Sequence, residues 1–372
     1  MKRILIALVA LALTALACGQ QPPVTPLPTL STSIFGTQHT AYGFFPSPPE
    51  VSLDSVLHLY KDLGQHADFV LIQQNTPWQD FVNSIDGDSK SRTDLMNQAK
   101  LAQQNHLEYV FVLDALNGLN RRDFMGVPTG WDATFGNPKV RAAYKNFALW
   151  IVREFHPRYL GLASEINTYM DAHPDDSANF VSLYNDIYGA VKAEAPETQI
   201  FVTFQWEDLN NLIPSAAEGR QPYHTNWDEV EAFEPHLDLW VISSYPFAAF
   251  AAGAQIPADY YTPLLTRTSK PLAVAEGGYT SKPIGPISGT PDDQVAYLHA
   301  IHDQIGTRLA FWVYLLLNDF NLDSYAKYMQ ANGQSANDVN TLGLFASVGL
   351  RQFDGTPKPA MALWDSFRSG RQ

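Results

Sequence analysis

The sequence predicts a single (β/α)8 TIM barrel of the α/β class. Three observations carry this. Eight short apolar, β-rich stretches alternate with helically spaced segments over about 320 residues. The stretches are nearly continuous in apolar character, as befits parallel strands buried on both faces. No G-x-G-x-x-G follows the first strand and no G-x-x-x-x-G-K-[ST] occurs anywhere, which counts against the nucleotide-binding open sheets.

The elements run in order. Tyr42–Phe45 is the first strand, and Leu53, Val56, Leu57, Tyr60 and Leu63 follow at helical spacing. Phe69–Ile72 is the second strand, with a helix around Leu95–Gln104. Tyr109–Leu113 is the third; a long loop containing Trp131 precedes a helix marked by Tyr144, Phe147, Ile151 and Phe155. Tyr159–Ala163 is the fourth, with its helix at Phe180, Leu183, Ile187 and Val191. Ile200–Phe204, Leu239–Ile242 and Leu272–Ala275 are the fifth to seventh, the last followed by a helix around Gln294–Ile305. Leu309–Leu317 is the eighth.

The N-terminus has a different character. Met1-Lys2-Arg3 is basic, and Ile4–Ala17 is apolar but too short to span a bilayer, which is the pattern of a signal peptide. It ends Ala15-Leu16-Ala17-Cys18, similar to a bacterial lipobox with Ala15 at the usual leucine position. The only cysteine of the chain falls here. Residues 1–18 are therefore expected to be a lipoprotein signal with Cys18 lipidated; an ordinary secretory signal is the alternative. Residues 19–36, rich in Pro, Thr and Ser, read as an extended tether. Residues 37–372 are the expected barrel domain. The expectation is an exported protein at the cell surface or in the periplasm, touching the membrane only through its lipid, and a monomer.

Composition narrows function. The chain of 372 residues is 45% hydrophobic and 17% charged, a globular balance. Lys and Arg number 24 against 38 Asp and Glu, a net charge of −14, so the surface repels phosphate backbones and nucleic acid is not an expected partner. One cysteine excludes a disulfide framework and Cys-based zinc sites. His299 and His302 lie three apart but lack an H-E-x-x-H context. No metal and no cofactor is expected.

In such barrels chemistry sits at the C-terminal ends of the strands. Those ends carry Gln73 and Asn75; Asp114; Ser164, Glu165 and Asn167; Gln205 and Trp206; Tyr245; Glu276; and Trp312 within the last strand. Amides, hydroxyls and indoles suit sugar hydroxyls and sugar faces. Glu165 and Glu276 stand directly after apolar strands, and hydrolysis of a glycoside needs two carboxyl groups. Plainer readings stand beside these. Either Glu fits a strand-end ion pair, Tyr245 a core cap, Trp312 barrel packing, and Trp206, Trp78 and Trp131 the core. Asp114 divides between site and loop cap, and Glu207 and Asp208 read as solvated helix-start charges.

The pieces LGLASEIN (160–167), LWVISSYP (239–246), LAVAEGGY (272–279), AFWVY (310–314) and the tail GLRQFDGTPKPAMALW (349–364) resemble glycoside hydrolase clan A, and loosely its arabinogalactan endo-β-1,4-galactanases. The resemblance spans most of residues 40–367. It implies a retaining glycosidase acting on a poly- or oligosaccharide by a two-Glu double displacement. Glu165 would be the acid/base, Glu276 the nucleophile and Tyr245 its hydrogen-bond donor. Trp312 would floor the sugar site, and Gln73, Asn75, Gln205 and Trp206 would bind substrate. Clan members place Asn before the acid/base; here it is Ser164, so the contact to the sugar 2-hydroxyl weakens or passes to Asn167 or Gln205. Several tryptophans near the mouth lean towards endo action. Two alternatives remain, a barrel that binds glycans without cutting them and a two-lobed solute-binding lipoprotein. A chitinase-type site lacks its D-x-x-D-x-E motif in residues 158–165.

Overall fold

The computed structural model describes residues 33–35, 39–213, 219–331 and 336–370. Cys18, the signal segment and most of the tether lie outside them. Nine parallel strands form one sheet: β1 (Ala41–Phe44), β2 (Phe69–Asn75), β3 (Glu108–Asp114), β4 (Tyr159–Gly161), β5 (Gln199–Phe201), β6 (Thr203–Gln205), β7 (Trp240–Ser244), β8 (Leu272–Gly277) and β9 (Leu309–Tyr314). Their order is β5-β4-β3-β2-β1-β9-β8-β7-β6.

The two ends of that order are one strand. β5 and β6 flank Val202; β5 pairs with β4 and β6 with β7. The sheet therefore closes on itself as eight staves, and all eight expected strands are present. β4 is regular only to Gly161, but Leu162 N donates to Phe201 O and Thr203 N to Ala163 O, so pairing continues to the turn that carries Glu165. The described residues form one barrel with no second lobe among them, which removes the support for a hinged solute-binding protein.

Outer helices cover the staves, as the apolar periodicity requires. Ser52, Ser89 and Asn137 cap the helices Leu53–His66, Lys90–Gln104 and Pro138–Phe155 through their side chains. Thr290 and Asp293 form a reciprocal capping box at the start of helix Pro291–Ile305. Between the fifth and sixth and the sixth and seventh staves the helices shrink to Trp227–Glu231 and Pro263–Arg267.

The floor of the barrel is aromatic. Phe311 meets Phe69, Tyr159 and Phe201 with ring centroids 5.8, 5.1 and 5.8 Å apart. Phe35 closes the layer against Phe69 at 5.3 Å and Tyr159 at 5.1 Å. Ser33 Oγ and Ile34 N donate to the Glu108 carboxylate. The last residues of the expected tether are thus part of the folded domain. Gly43 and Gly161 leave room for this layer; a Cβ there would lie 2.6 Å from the Phe69 ring and 2.8 Å from Phe201.

Candidate active site

One guanidinium organises the barrel mouth. Arg121 Nε donates to Glu165 Oε2 at 2.8 Å, Nη1 pairs with Asp114 Oδ2, and Nη2 lies 3.6 Å from Glu276 Oε2. All four side chains are largely buried. Burial alone would favour a neutral arginine, but the three carboxylates outweigh it and hold the guanidinium protonated above its ordinary pKa.

Local backbone sets this up. Asp114 ends β3; its Oδ2 also accepts from Gln73 Nε2 at 2.8 Å, and its Oδ1 caps Leu116 N at 3.0 Å. The chain then turns tightly: Asn117 N donates to Asp123 O and Arg121 N to Asn117 O. Arg121 sits there at φ 55° and Glu165 at φ 49°, both in the left-handed region. A non-glycine residue there costs about 1–3 kcal/mol and persists where surrounding contacts hold it. For Glu165 those contacts include its N–H, which donates to Thr203 Oγ1 at 2.7 Å.

Glu165 and Glu276 are brought to the same guanidinium from the fourth and seventh staves. Ser243 Oγ donates to Glu165 Oε1. Tyr245 OH donates to Glu276 Oε1 at 2.6 Å. Burial first, then the Glu165 charge, push the Glu276 carboxyl up to about 7, against the pull of Arg121 and Tyr245. Burial and the Glu276 charge raise the Tyr245 phenol well above its usual value, so it remains a donor.

Behind Tyr245 lies a second carboxylate. Glu207, expected in solvent, is 0% exposed. It accepts from Gln205 Nε2 (2.7 Å), Ser244 Oγ (2.6 Å), Tyr245 N (2.9 Å) and Tyr260 OH (3.2 Å). Burial raises its pKa while these bonds draw it back. Glu207 fixes the backbone that aims Tyr245. Asp208, also expected in solvent, is buried and accepts from Thr168 Oγ1 at 2.7 Å. Both carboxylates turn inward because the chain re-enters the barrel rim here.

A pocket of about 900 Å³, counted to its open mouth, has Glu276, Arg121, Asp114, Gln73 and Asn75 at its polar end. Asn75 Nδ2 donates to Leu116 O at 3.2 Å, while its Oδ1 has no partner among the described residues. Glu165 does not line this pocket; it stands behind Arg121.

Other expected binders lie elsewhere. Trp312 is 0% exposed and packs against Trp364 at 5.3 Å, Tyr42 at 6.0 Å and Phe367 at 6.2 Å. The reason is strand parity: Phe311 points to the barrel axis, so Trp312 points outward to the helix Pro359–Ser369. Trp206 is likewise buried, beside Trp227, Tyr260 and Tyr261. Asn167 spends its amide on the Gln205 backbone, donating to the carbonyl (3.2 Å) and accepting from N–H (2.8 Å). Gln205 is consumed by Glu207 and by capping Asp208 N. Ser164 is buried, its Oγ 3.5 Å from Thr203 Oγ1. None of the eight tryptophans lines the pocket, so the lean towards endo action loses its basis. Sequence reasoning missed Arg121. Among the described residues no cluster of His, Cys, Asp or Glu forms a metal site.

No protein-family model matches the sequence, and no curated protein matches it. Solved structures do resemble the fold. An exo-β-1,4-mannosidase, Op5Man5 from Opitutaceae bacterium strain TAV5, aligns over 90% of this chain and 60% of its own, at TM-score 0.62 and 14% identity. This chain therefore spans less than two thirds of that protein. A GH5_18 protein from Bifidobacterium longum subsp. longum, solved with Manb1-4GlcNAc, aligns over 89% of this chain and 78% of its own, at TM-score 0.63 and 14% identity. A family 39 glycoside hydrolase from Bacteroides cellulosilyticus WH2 aligns over 89% and 64%, at TM-score 0.53 and 14% identity. The chain shares the barrel fold of these clan A glycoside hydrolases.

Proposed function

We propose that this protein is a retaining glycoside hydrolase that cleaves O-glycosidic bonds, with Glu276 as nucleophile and Glu165 as acid/base. The observation that carries the reading is the meeting of Glu165 and Glu276, from opposite staves, on Arg121, with Tyr245 donating to Glu276 at the base of a pocket.

In this reading ionised Glu276 attacks the anomeric carbon while protonated Glu165 donates to the leaving oxygen. Glu165, then ionised, removes a proton from the water that frees the sugar. Tyr245 and Arg121 favour the ionised nucleophile. Arg121 and Ser243 hold Glu165 by hydrogen bonds, so it reaches the leaving oxygen once substrate takes over part of the Arg121 contact. Loss of the Glu276 charge on glycosylation then shifts the proton balance of the pair. Gln73 and Asn75, which line the pocket, are the hydroxyl partners left in place of the absent Asn before Glu165.

A barrel that binds glycans without cutting them is the second reading. The Arg121–Glu165 bond and Ser164 favour it. Reducing-sugar release from a panel of plant and microbial polysaccharides, and turnover of activated aryl glycosides, decide between them. Glu165→Ala and Glu276→Ala should each cut turnover by at least about 10³-fold. Near wild-type rates in both variants overturn the assignment. Measurable binding with no sugar released by the wild type supports the second reading. Export with a lipid on Cys18 belongs to the same proposal; Cys18→Ser should leave the protein unlipidated in a labelled-palmitate experiment.

A further inference from the structure

The pocket is polar at the Arg121–Glu276 cluster and apolar over most of the rest of its lining, and the apolar part is not built for sugar. Its wall comes from the segment after β9: Leu315, Leu316, Phe320, Met329, Leu342 and Phe345. The thioether of Met329 is at most a weak acceptor; of the other lining residues nearby, Ser47 and Tyr325 carry hydroxyls, that of Tyr325 donating to Pro48 O at 2.6 Å. A sugar ring placed there would leave hydroxyls unpartnered against hydrocarbon, each a loss relative to water. Sugar faces stack on flat exposed rings; of the aromatic rings that line the pocket, Phe45, Phe320 and Tyr325 are only 6%, 7% and 1% exposed and present little face, and no tryptophan reaches it. Leu316, Phe320 and Met329 are only 4%, 7% and 4% exposed, so the wall is a close one.

The same cavity is lined by Glu276, Arg121 and Asn75. One molecule filling it must be polar at the carboxylates and apolar beyond them. We infer that the substrate is a glycoside whose aglycone is apolar, an alkyl or aryl group seated against Leu315, Leu316, Phe320, Met329, Leu342 and Phe345, and not an oligosaccharide extended in that direction. This rests on the glycosidase reading for the Arg121–Glu276 cluster. The wall is held by its own scaffold. Lys358 Nζ, buried, donates to Asp319 Oδ1 at 2.6 Å, Ser281 Oγ at 2.7 Å and Gly349 O at 2.6 Å, tying both ends of the segment to the barrel.

Calorimetry with hydrolysis-resistant n-alkyl 1-thio-β-D-glucosides, galactosides and mannosides tests this, with methyl, butyl and octyl chains kept below micelle-forming concentration. In at least one sugar series Kd should fall by about fourfold per added methylene until the wall is covered, the factor expected for burying a CH2 group. Met329→Asp and Leu342→Asp should flatten that dependence. Methyl and octyl compounds binding within twofold in every series, or no binding of any octyl compound, overturns the inference, as does a slope unchanged in both folded variants. The wild-type series stands alone if either variant does not fold. Hydrolysis that is lost in Glu276→Ala but shows no chain-length dependence sinks the apolar aglycone alone. A chain-length dependence with hydrolysis indifferent to Glu165 and Glu276 sinks the glycosidase reading instead.

Discussion

Arg121 is the residue on which the site turns. It is one buried cation facing Asp114, Glu165 and Glu276. Removing one member of such a buried set leaves uncompensated charge and costs about 3–5 kcal/mol. Arg121→Met should therefore lower unfolding free energy by about that amount, read as a shifted urea midpoint, and abolish turnover. A second prediction follows from Glu276, raised to about 7 mainly by burial. As the proposed nucleophile it must be ionised, so kcat/KM should fall as pH drops through about 7, and that acid limb should vanish in pre-steady-state measurements on any residual activity of Glu276→Gly with azide. Its stability sign is the reverse. A raised carboxyl stabilises the fold while protonated, and that contribution is lost as pH rises from about 4.5 to 7. Glu276→Gln should therefore gain melting temperature relative to wild type on going from pH 5 to pH 8. At this scale the acids after apolar strands singled out Glu165 and Glu276, which meet on Arg121, and the clan A resemblance implied the Tyr245 bond to Glu276. Arg121 was not legible, because its role depends on a left-handed turn that no local pattern marks. Trp312 was misread because strand parity needs the inward face of Phe311 to be known.

Among elements, the eight staves and most of their helices follow from hydrophobic period alone. What does not follow is where loops double back. Glu207 looks like a helix-start charge, and it is one; but the rim folds over it and converts it into the anchor of Tyr245. Glu207→Gln keeps size and loses charge, and should lower kcat with KM nearly unchanged, since it misaims Tyr245 without touching the pocket. The segment after β9 belongs here too. Lys358 and Asp319 are both buried, and burial drives each towards its neutral form against the pull of the other. Lys358→Met should cost about 3–5 kcal/mol by guanidinium unfolding, and should expose residues 315–350 to faster amide hydrogen exchange before the rest of the barrel.

For the whole molecule, closure is the governing fact. A barrel joined through Val202 has no free edge, and its contents are fixed in layers from aromatic floor to polar mouth. The floor extends into the segment that composition assigned to a tether. A chain starting at residue 33 should keep full stability, and one starting at residue 37 should lose the Phe35 packing and about 3 kcal/mol. Composition cannot see this boundary, because one phenylalanine in a Pro- and Thr-rich stretch carries no pattern until Phe69 and Tyr159 are placed around it.

The account rests on Glu276 forming a covalent bond to sugar. Incubation with 2,4-dinitrophenyl 2-deoxy-2-fluoro-β-D-glycosides of glucose, mannose and galactose, followed by intact mass and peptide mapping, reads that bond directly. The prediction is one fluorosugar added per chain by at least one of the three, on the peptide containing Glu276, and none in Glu276→Gln. A label on another residue, or no label in an enzyme that turns over the matching aryl glycoside, contradicts it.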